Sequence, residues 1–447
     1  MPPVSPVDNH ATPAAARGKL SHGFRSLRHR NFQLFFSGQL ISLVGTWMQV
    51  VAQSWLVYRL TGSSFLLGAV GFSSQIPVFL VAPIGGTIAD RHNRHRLIVA
   101  TQVSSMVLAF VLAWLTLSGR IQIWEIFVLA ALLGVVNAFD IPARQAFLVD
   151  MVGKEDLINA IALNSSMFNG ARIIGPAIAG VLVAAIGEGW CFFANAVSFI
   201  AVIAGLLMMK VPRPERPPRT ASAMENIVEG LQWVAKTGPI RALLLLLGLV
   251  SLVGMPYSVL MPIFADQILH GGARGLGLLM GATGVGALLG ALTLAMKKGL
   301  TGLGRWVATC AIGFGGSLIV FAFSRNFVLA MIALVPVGFT MMVQMAASNT
   351  LIQSMVPDQL RGRVMASYSM MFMGMAPFGA FFAGALAQHL GAPITVAIGG
   401  FACIAGSLVF AAKLPTIRTE ARQLIIAQTM AGGDPPQQMT ARGITQT

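Results

Sequence analysis

Charge is what this sequence has least of. Only 10% of its 447 residues are Asp, Glu, Lys or Arg, against about a quarter in a soluble domain. Hydrophobic residues make up 55%, with a mean hydropathy of +0.75. The few charges avoid apolar stretches of roughly 18–25 residues, the length that crosses a hydrocarbon core. That excludes a soluble globular fold. Without water, backbone groups in such a stretch must bond to one another, so each stretch reads as a helix. Cysteine is nearly absent: Cys191, Cys310 and Cys403 lie in or beside apolar spans and form no spaced framework. All seven histidines lie in tails, loops or span ends, so no histidine relay crosses the membrane. No His/Cys/Glu cluster has metal-ligand spacing, and no G-x-x-x-x-G-K-[ST] loop is present to hold ATP. Gly284, Gly286 and Gly290 approach a dinucleotide fingerprint, but with the wrong spacing and inside a span. An enzyme, a metal and a cofactor are all unexpected. The N-terminus has no apolar core and is not a secretory signal, so the first span must direct insertion.

Twelve spans are predicted, at about 32–58, 65–89, 97–118, 123–148, 158–186, 190–210, 240–265, 275–296, 304–323, 327–354, 364–389 and 393–413. The expected organisation is a cytoplasmic tail 1–31, a six-helix half 32–210, a linker 211–239, a second six-helix half 240–413 and a tail 414–447. The Pro/Arg run of the linker cannot be helical throughout, while 223–235 can form a short surface helix. Orientation follows from the 30 Lys and Arg residues. With the N-terminus in the cytoplasm, 25 fall on the inner face, four on the outer face (Arg59, Arg120, Arg274, Arg325) and one, Arg172, inside a span. Both termini are therefore expected in the cytoplasm. The net charge of +15 reads as topology and contact with anionic lipid, with no nucleic-acid partner.

The two halves repeat. Residues 162–187 lie over 366–391 at an offset of 204 with ten identities and no gap, including Gly170/Gly374, Gly175/Gly379, Gly180/Gly384 and Gly187/Gly391. The same offset sets Gly86 on Gly290. Six plus six spans with a repeated half is a transporter architecture, with substrate bound near mid-membrane between the halves.

After the second span comes GGTIADRHNRHR (85–96). Gly86, Asp90, Arg91, Arg94 and Arg96 match the G-x-x-x-D-R-x-G-R-R/K signature of the major facilitator superfamily, which the chain resembles. Asn93 stands where that signature has Gly. Asn tolerates the left-handed conformation better than most residues, so the turn is expected to survive. The resemblance implies a twelve-helix, all-α major facilitator fold in which this loop locks one conformation without touching substrate. Asp90 is expected at the N-terminal end of the eleventh span and Arg94 beside Asp150. At the same offset Leu294 occupies the place of Asp90, so the lock is expected to be single. The stretch 139–180 resembles the drug and siderophore proton antiporters, a branch that includes enterobactin exporters and macrolide efflux proteins. Its Gly170, Gly175, Pro176 and Gly180 resemble the helix-five signature of exporters. Glycines so spaced let helices approach closely and Pro176 permits a kink, so packing alone also explains them. The antiporters' arginine early in helix four has no equivalent in 129–137.

Two charges lie deep in apolar spans. Asp140 is roughly 15 Å from the inner end of the fourth, and Arg172 roughly 20 Å into the fifth. Such groups are costly and mark function by default. They can form a structural ion pair, Asp140 can carry a coupling proton, or Arg172 can touch substrate. Methionines crowd the tenth and eleventh spans (Met341, Met342, Met345, Met370, Met371, Met373, Met375). They serve either as packing or as a flexible wall for apolar substrates. Gln49, Gln53, Asn137, Asn164, Asn169, Gln344 and Asn349 complete the candidate cavity, with Met341, Met345 and Met371 as its apolar members.

The expected protein is a monomeric exporter in a bacterial inner membrane, driven by protons and acting on amphipathic or apolar small molecules such as drugs or a siderophore. An importer or facilitator of the same fold, and a transport-dead sensor or scaffold, are the alternatives.

Overall fold

The computed structural model describes residues 25–153, 155–210, 223–297 and 299–430. The N-terminal tail to residue 24, the Pro/Arg run 211–222 and the tail from residue 431 lie outside the described residues. So do the side chains of Asp90, 223–227, Asp358 and 427–430.

Among the described residues, twelve helices are long and apolar enough to cross a membrane. They are α1 (Arg30–Thr61), α2 (Ser64–Arg91), α3 (Arg94–Leu117), α4 (Ile123–Val152), α5 (Leu157–Ile186) and α6 (Glu188–Leu207). After a linker helix, Ala223–Lys236, come α7 (Gly238–Ile268), α8 (Gly272–Met296), α9 (Leu303–Phe323), α10 (Phe327–Met355), α11 (Gln359–Leu390) and α12 (Ala392–Met430). Large apolar side chains stay exposed along them, among them Leu80, Trp114, Leu245, Ile332, Phe382 and Phe401. On a soluble protein so much exposed apolar surface would aggregate; facing lipid it is in its own solvent.

Local chemistry sets the helix ends and breaks. Gly62, in the left-handed conformation, ends α1 by donating its N–H to the Tyr58 carbonyl. Asn93 caps α3, its side chain accepting from the Arg96 N–H at 3.1 Å. Its φ of −68° corrects the expected left-handed turn: Asn serves here as a helix cap, not as a glycine substitute. The regular helix of α7 stops at Leu249 and continues through wide and tight turns around Pro256 and Pro262. Gly374 interrupts α11 against the ring of Phe79. Proline removes a backbone donor and the ladder reorganises around it. Both interrupted helices border the seam between the halves.

The twelfth helix runs on to Met430, well past the expected end of the span. Residues 414–430 have an apolar stripe, Leu414, Ile417, Ala421 and Leu424, packed against the core with Ile425 buried. That periodicity sustains a surface helix. The linker helix is tied to the start of α11 by an ion pair between Arg363 and Glu229.

The repeat has two registers. Gly134 of α4 lies against the Ser74 carbonyl of α2, and Gly338 of α10 lies against the Thr283 carbonyl of α8. The α4/α10 pair keeps the offset of 204, but Ser74/Thr283 stand 209 apart. The Gly86/Gly290 match is thus not a structural equivalence. In the structural register Asp90 corresponds to Gly299 instead of Leu294, and Arg94 corresponds to Leu303. The second half is five residues shorter between these points: α9 has three residues fewer than α3, and the connection after it has two fewer than the α3–α4 loop.

Candidate substrate pathway and conformational lock

The two halves meet along α2–α11 and α5–α8, through residues too small to keep backbones apart. A side chain on Gly68 would strike Gly384 Cα at 2.9 Å, and one on Gly180 would strike Gly277 Cα at 2.9 Å. Close approach of this kind is what glycine allows between membrane helices. Aromatic rings continue the first seam toward mid-height. Phe65 and Phe381 stand 5.6 Å apart, Phe72 and Phe378 5.9 Å, and Phe79 and Phe378 6.2 Å. The second seam reaches mid-height where Ile173 of α5 packs on Gly284 of α8. Polar ties cross the same end. Tyr58 donates its hydroxyl to Asp266 at 2.7 Å, and the Ser63 and Ser64 hydroxyls donate to Gln388 Oε1 at 3.1 and 3.2 Å. Arg59 grips Glu188 with two nitrogens, at 2.7 and 3.3 Å, within the first half. The molecule is therefore closed at the face opposite the termini.

Asp140 and Arg172 are not brought together. Asp140, 1% exposed, accepts from the Thr101 hydroxyl at 2.8 Å and from Gln102 Nε2 at 2.9 Å, and pairs with Arg144 one turn along its own helix. All four residues lie on α3 and α4, inside one half. Arg172 instead lies over the indole of Trp47 on α1, 5.6 Å from the ring centroid. Phe168 meets that indole edge-on at 5.6 Å. Arg172 and Tyr257 of α7 are within electrostatic range across the seam. The i, i+4 spacing of Asp140 and Arg144 is a sequence signal; the partnership of Arg172 with a tryptophan 125 positions earlier has none.

The other candidates divide by exposure. Gln49 is buried and accepts from Asn195 Nδ2 of α6 at 2.7 Å, so it faces into its own half. Gln53, Asn137, Asn164, Asn169 and Asn349 are partly exposed. Asn169 donates to the Ser165 carbonyl and Asn349 accepts from Gln353. Gln344, 1% exposed, and Ser348, 0% exposed, are buried with no hydrogen-bond partner among the described residues. Met341 is buried, Met345 partly so, and Met371 packs against Gly248 of α7.

In the loop after α2, Arg94 donates to the Ala146 carbonyl at 2.9 Å and to the Ala89 carbonyl at 3.2 Å, and lies 3.4 Å from Asp150. It thus joins the ends of α2, α3 and α4. Arg91 and Arg96 are exposed. Asp90 ends α2, but its side chain lies outside the described residues, and so does its expected approach to α11. Gly85, not Gly86, makes the tight contact here, with the Ala138 carbonyl of α4. In α5, Gly175 lies against Trp47 and Gly180 forms the seam, Pro176 is buried, and Gly170 has open space around it. Among the described residues no group of three or more His, Cys, Asp or Glu could hold a metal.

A solved peptide-transporter-family (POT) protein in complex with a thioalcohol-conjugated peptide shares the fold. Its TM-score is 0.72 at 11% identity, covering 87% of this chain and 96% of that one. The staphyloferrin A transporter of Staphylococcus aureus is 29% identical over 84% of this chain and 94% of its own. The multidrug efflux pump Tap of Mycolicibacterium fortuitum is 27% identical over 80% and 89%. Residues 21–434 match the model of a family described as transmembrane secretion effector. With twelve apolar helices in a repeated six-plus-six arrangement and that match across nearly the whole chain, the protein is a multi-pass membrane transporter of the major facilitator superfamily, in its transmembrane secretion effector family.

Proposed function

We propose that this chain exports amphipathic or apolar small molecules, drugs or a siderophore, across a bacterial inner membrane, exchanging them for protons. It works as a monomer with both termini in the cytoplasm. The observation that carries the reading is the seam. The halves touch through bare glycine faces and a few polar ties at one end, a contact that can close tightly and part cleanly. Rocking of one half against the other around a central site is how such repeats transport. The relatives' names, a siderophore transporter and a multidrug efflux pump, support outward transport of bulky apolar molecules. Arg94 and Asp150 support a lock, since they fix α2, α3 and α4 as one block at the terminal face. Because Arg144 travels with Asp140 on one helix, rocking of the halves does not separate them. We read that pair as structural.

The test is flux in everted vesicles holding the purified protein, with the interior acidified and a fluorescent apolar dye outside. Accumulation that a protonophore abolishes is the expected result. Flux that only follows the dye's own gradient would make the protein a facilitator, and no flux in either direction would make it a sensor or scaffold.

A further inference from the structure

Three carboxylates in or at the edge of the spans have partners among the described residues. Asp140 is matched by Arg144, Glu188 by Arg59, and Asp266 receives Tyr58. Arg172 stands apart. Among the described residues no carboxylate pairs with its guanidinium and no hydrogen bond is made to it; it lies over the face of Trp47, with the Tyr257 side chain within electrostatic range. A cation–π contact recovers a small part of the hydration such a group gives up. An arginine kept at that cost in the middle of a membrane helix is a functional group by default.

Its surroundings say what it would serve. Arg172 is partly exposed and sits midway along α5. The adjacent Ile173 packs on Gly284 of the other half, so this height is the junction of the two halves. Gly175, one turn further on, lets α5 lie directly against the Trp47 Cβ and so sets the indole close to α5. Phe168, one turn earlier, holds the indole edge. The result is a guanidinium on an aromatic wall, facing the plane where transporters of this architecture bind substrate. A planar guanidinium offers paired donors that match a carboxylate, and the two rings offer an apolar bed beside it.

We propose that Arg172 and Trp47 form a subsite for a carboxylate group on an amphipathic substrate whose apolar body lies against Trp47 and Phe168. This rests on the transport reading and sharpens it, from apolar molecules in general to those bearing an anionic group. The missing counter-charge of Arg172 is then supplied by the cargo. Loading the site neutralises the seam, and unloading restores an unpaired cation there.

Binding in detergent separates this claim from the claim of export. The probes are 4-(1-pyrenyl)butanoate and its neutral analogue 4-(1-pyrenyl)butanamide, titrated into purified protein and followed by pyrene fluorescence anisotropy. The carboxylate should bind at least about tenfold tighter, the least that a charge-assisted hydrogen bond contributes. Arg172→Gln should bring the ratio of the two affinities to within about twofold of one, and Arg172→Lys, which keeps charge but loses the fork, should leave an intermediate ratio. Equal affinity of the two probes in the native protein overturns the proposal, as does a preference that survives Arg172→Gln. If Arg172→Gln does not fold, the native ratio and the Arg172→Lys ratio decide alone. Loss of proton-driven dye flux with the binding preference intact would overturn export while leaving the subsite standing.

Discussion

Neutralising Asp140 distinguishes a structural pair from a proton carrier, because the structure fixes what each substitution leaves behind. In Asp140→Asn the remaining carbonyl can still accept from Thr101 and Gln102, at 2.8 and 2.9 Å in the native protein. The new amide nitrogen, however, faces the Arg144 guanidinium, donor against donor. Arg144 is 22% exposed and keeps some water, so the cost sits at the lower end for a broken buried pair, about 3 kcal/mol. Arg144→Gln leaves Asp140, 2% exposed at its side chain, charged with only neutral donors, and costs a comparable about 3 kcal/mol. The double variant Asp140→Asn/Arg144→Gln removes both charges and restores an amide-to-amide hydrogen bond. It should cost only about 1–2 kcal/mol, since a buried pair exchanged whole is often near neutral. The coupling, of about 4 kcal/mol, is larger than additive scatter. Thermal unfolding in detergent reads this as an ordering, with the double variant above either single. Proton-driven dye efflux of the double variant should stay within about threefold of native, well under the tenfold that 1.4 kcal/mol of barrier represents. Two results refute the reasoning. If the double variant is no more stable than the singles, the pair is not coupled. If it folds and moves dye only downhill, Asp140 carries the proton.

Gly68→Val adds a branched side chain where Gly384 Cα would lie 2.9 Å from the first new atom. It should hold the seam open, so that efflux falls more than about tenfold while spin labels across the α2–α11 ends move apart; unchanged distances would contradict the seam. Gln344→Met replaces a buried amide, with no partner among the described residues, by an apolar side chain of similar length and should stabilise the protein by about 1–3 kcal/mol; a lower unfolding temperature would show a partner that the amide needs. Arg94→Gln removes the charge facing Asp150 and should slow efflux without preventing insertion, measured as flux per inserted molecule. Met345→Leu or Met371→Leu keeps volume and should cost less than about 1.5 kcal/mol, so a change in which dyes compete for efflux would appear without loss of stability.

How much of this could be read in the sequence depends on the range of the interaction. Hydropathy reports a property of each segment alone, so all twelve spans and the linker helix were legible. The extension of α12 to Met430 was hidden because its periodic stripe is flanked by charges and is too polar to count as a span. The Asn93 cap is local chemistry, and an Asn directly before a helical run is a start signal; likeness to a glycine position pointed the other way. Asp140 and Arg144 stand one helical turn apart and could be paired by counting. Arg172 with Trp47, Tyr58 with Asp266 and Gly180 with Gly277 each join segments whose neighbourhood exists only after the helices pack. Gly85 and Gly86 are alike in sequence, and only the neighbouring Ala138 carbonyl distinguishes them.

The repeat explains why charge concentrates in the first half. At the structural register the polar cluster of Asp140, Arg144, Thr101 and Gln102 corresponds to Gln344, Ser348, Cys310 and Ala311. The second half has kept a hydrogen-bonding residue at the central position and lost both donors from the neighbouring helix. That is why Gln344 and Ser348 are buried without partners among the described residues. The loop follows the same pattern, with Asp90 and Arg94 answered by Gly299 and Leu303. Charge thus ties α3 to α4 inside the membrane through Asp140, and joins α2, α3 and α4 at its edge through Arg94. Their counterparts α8, α9 and α10 rely on glycine packing, as where Gly338 meets Thr283 and Gly286 meets Val335. Packing without charge ties slides more readily. The first half is therefore expected to move as a rigid body, and the second, with its interrupted α7 and α11, to bend as the seam opens.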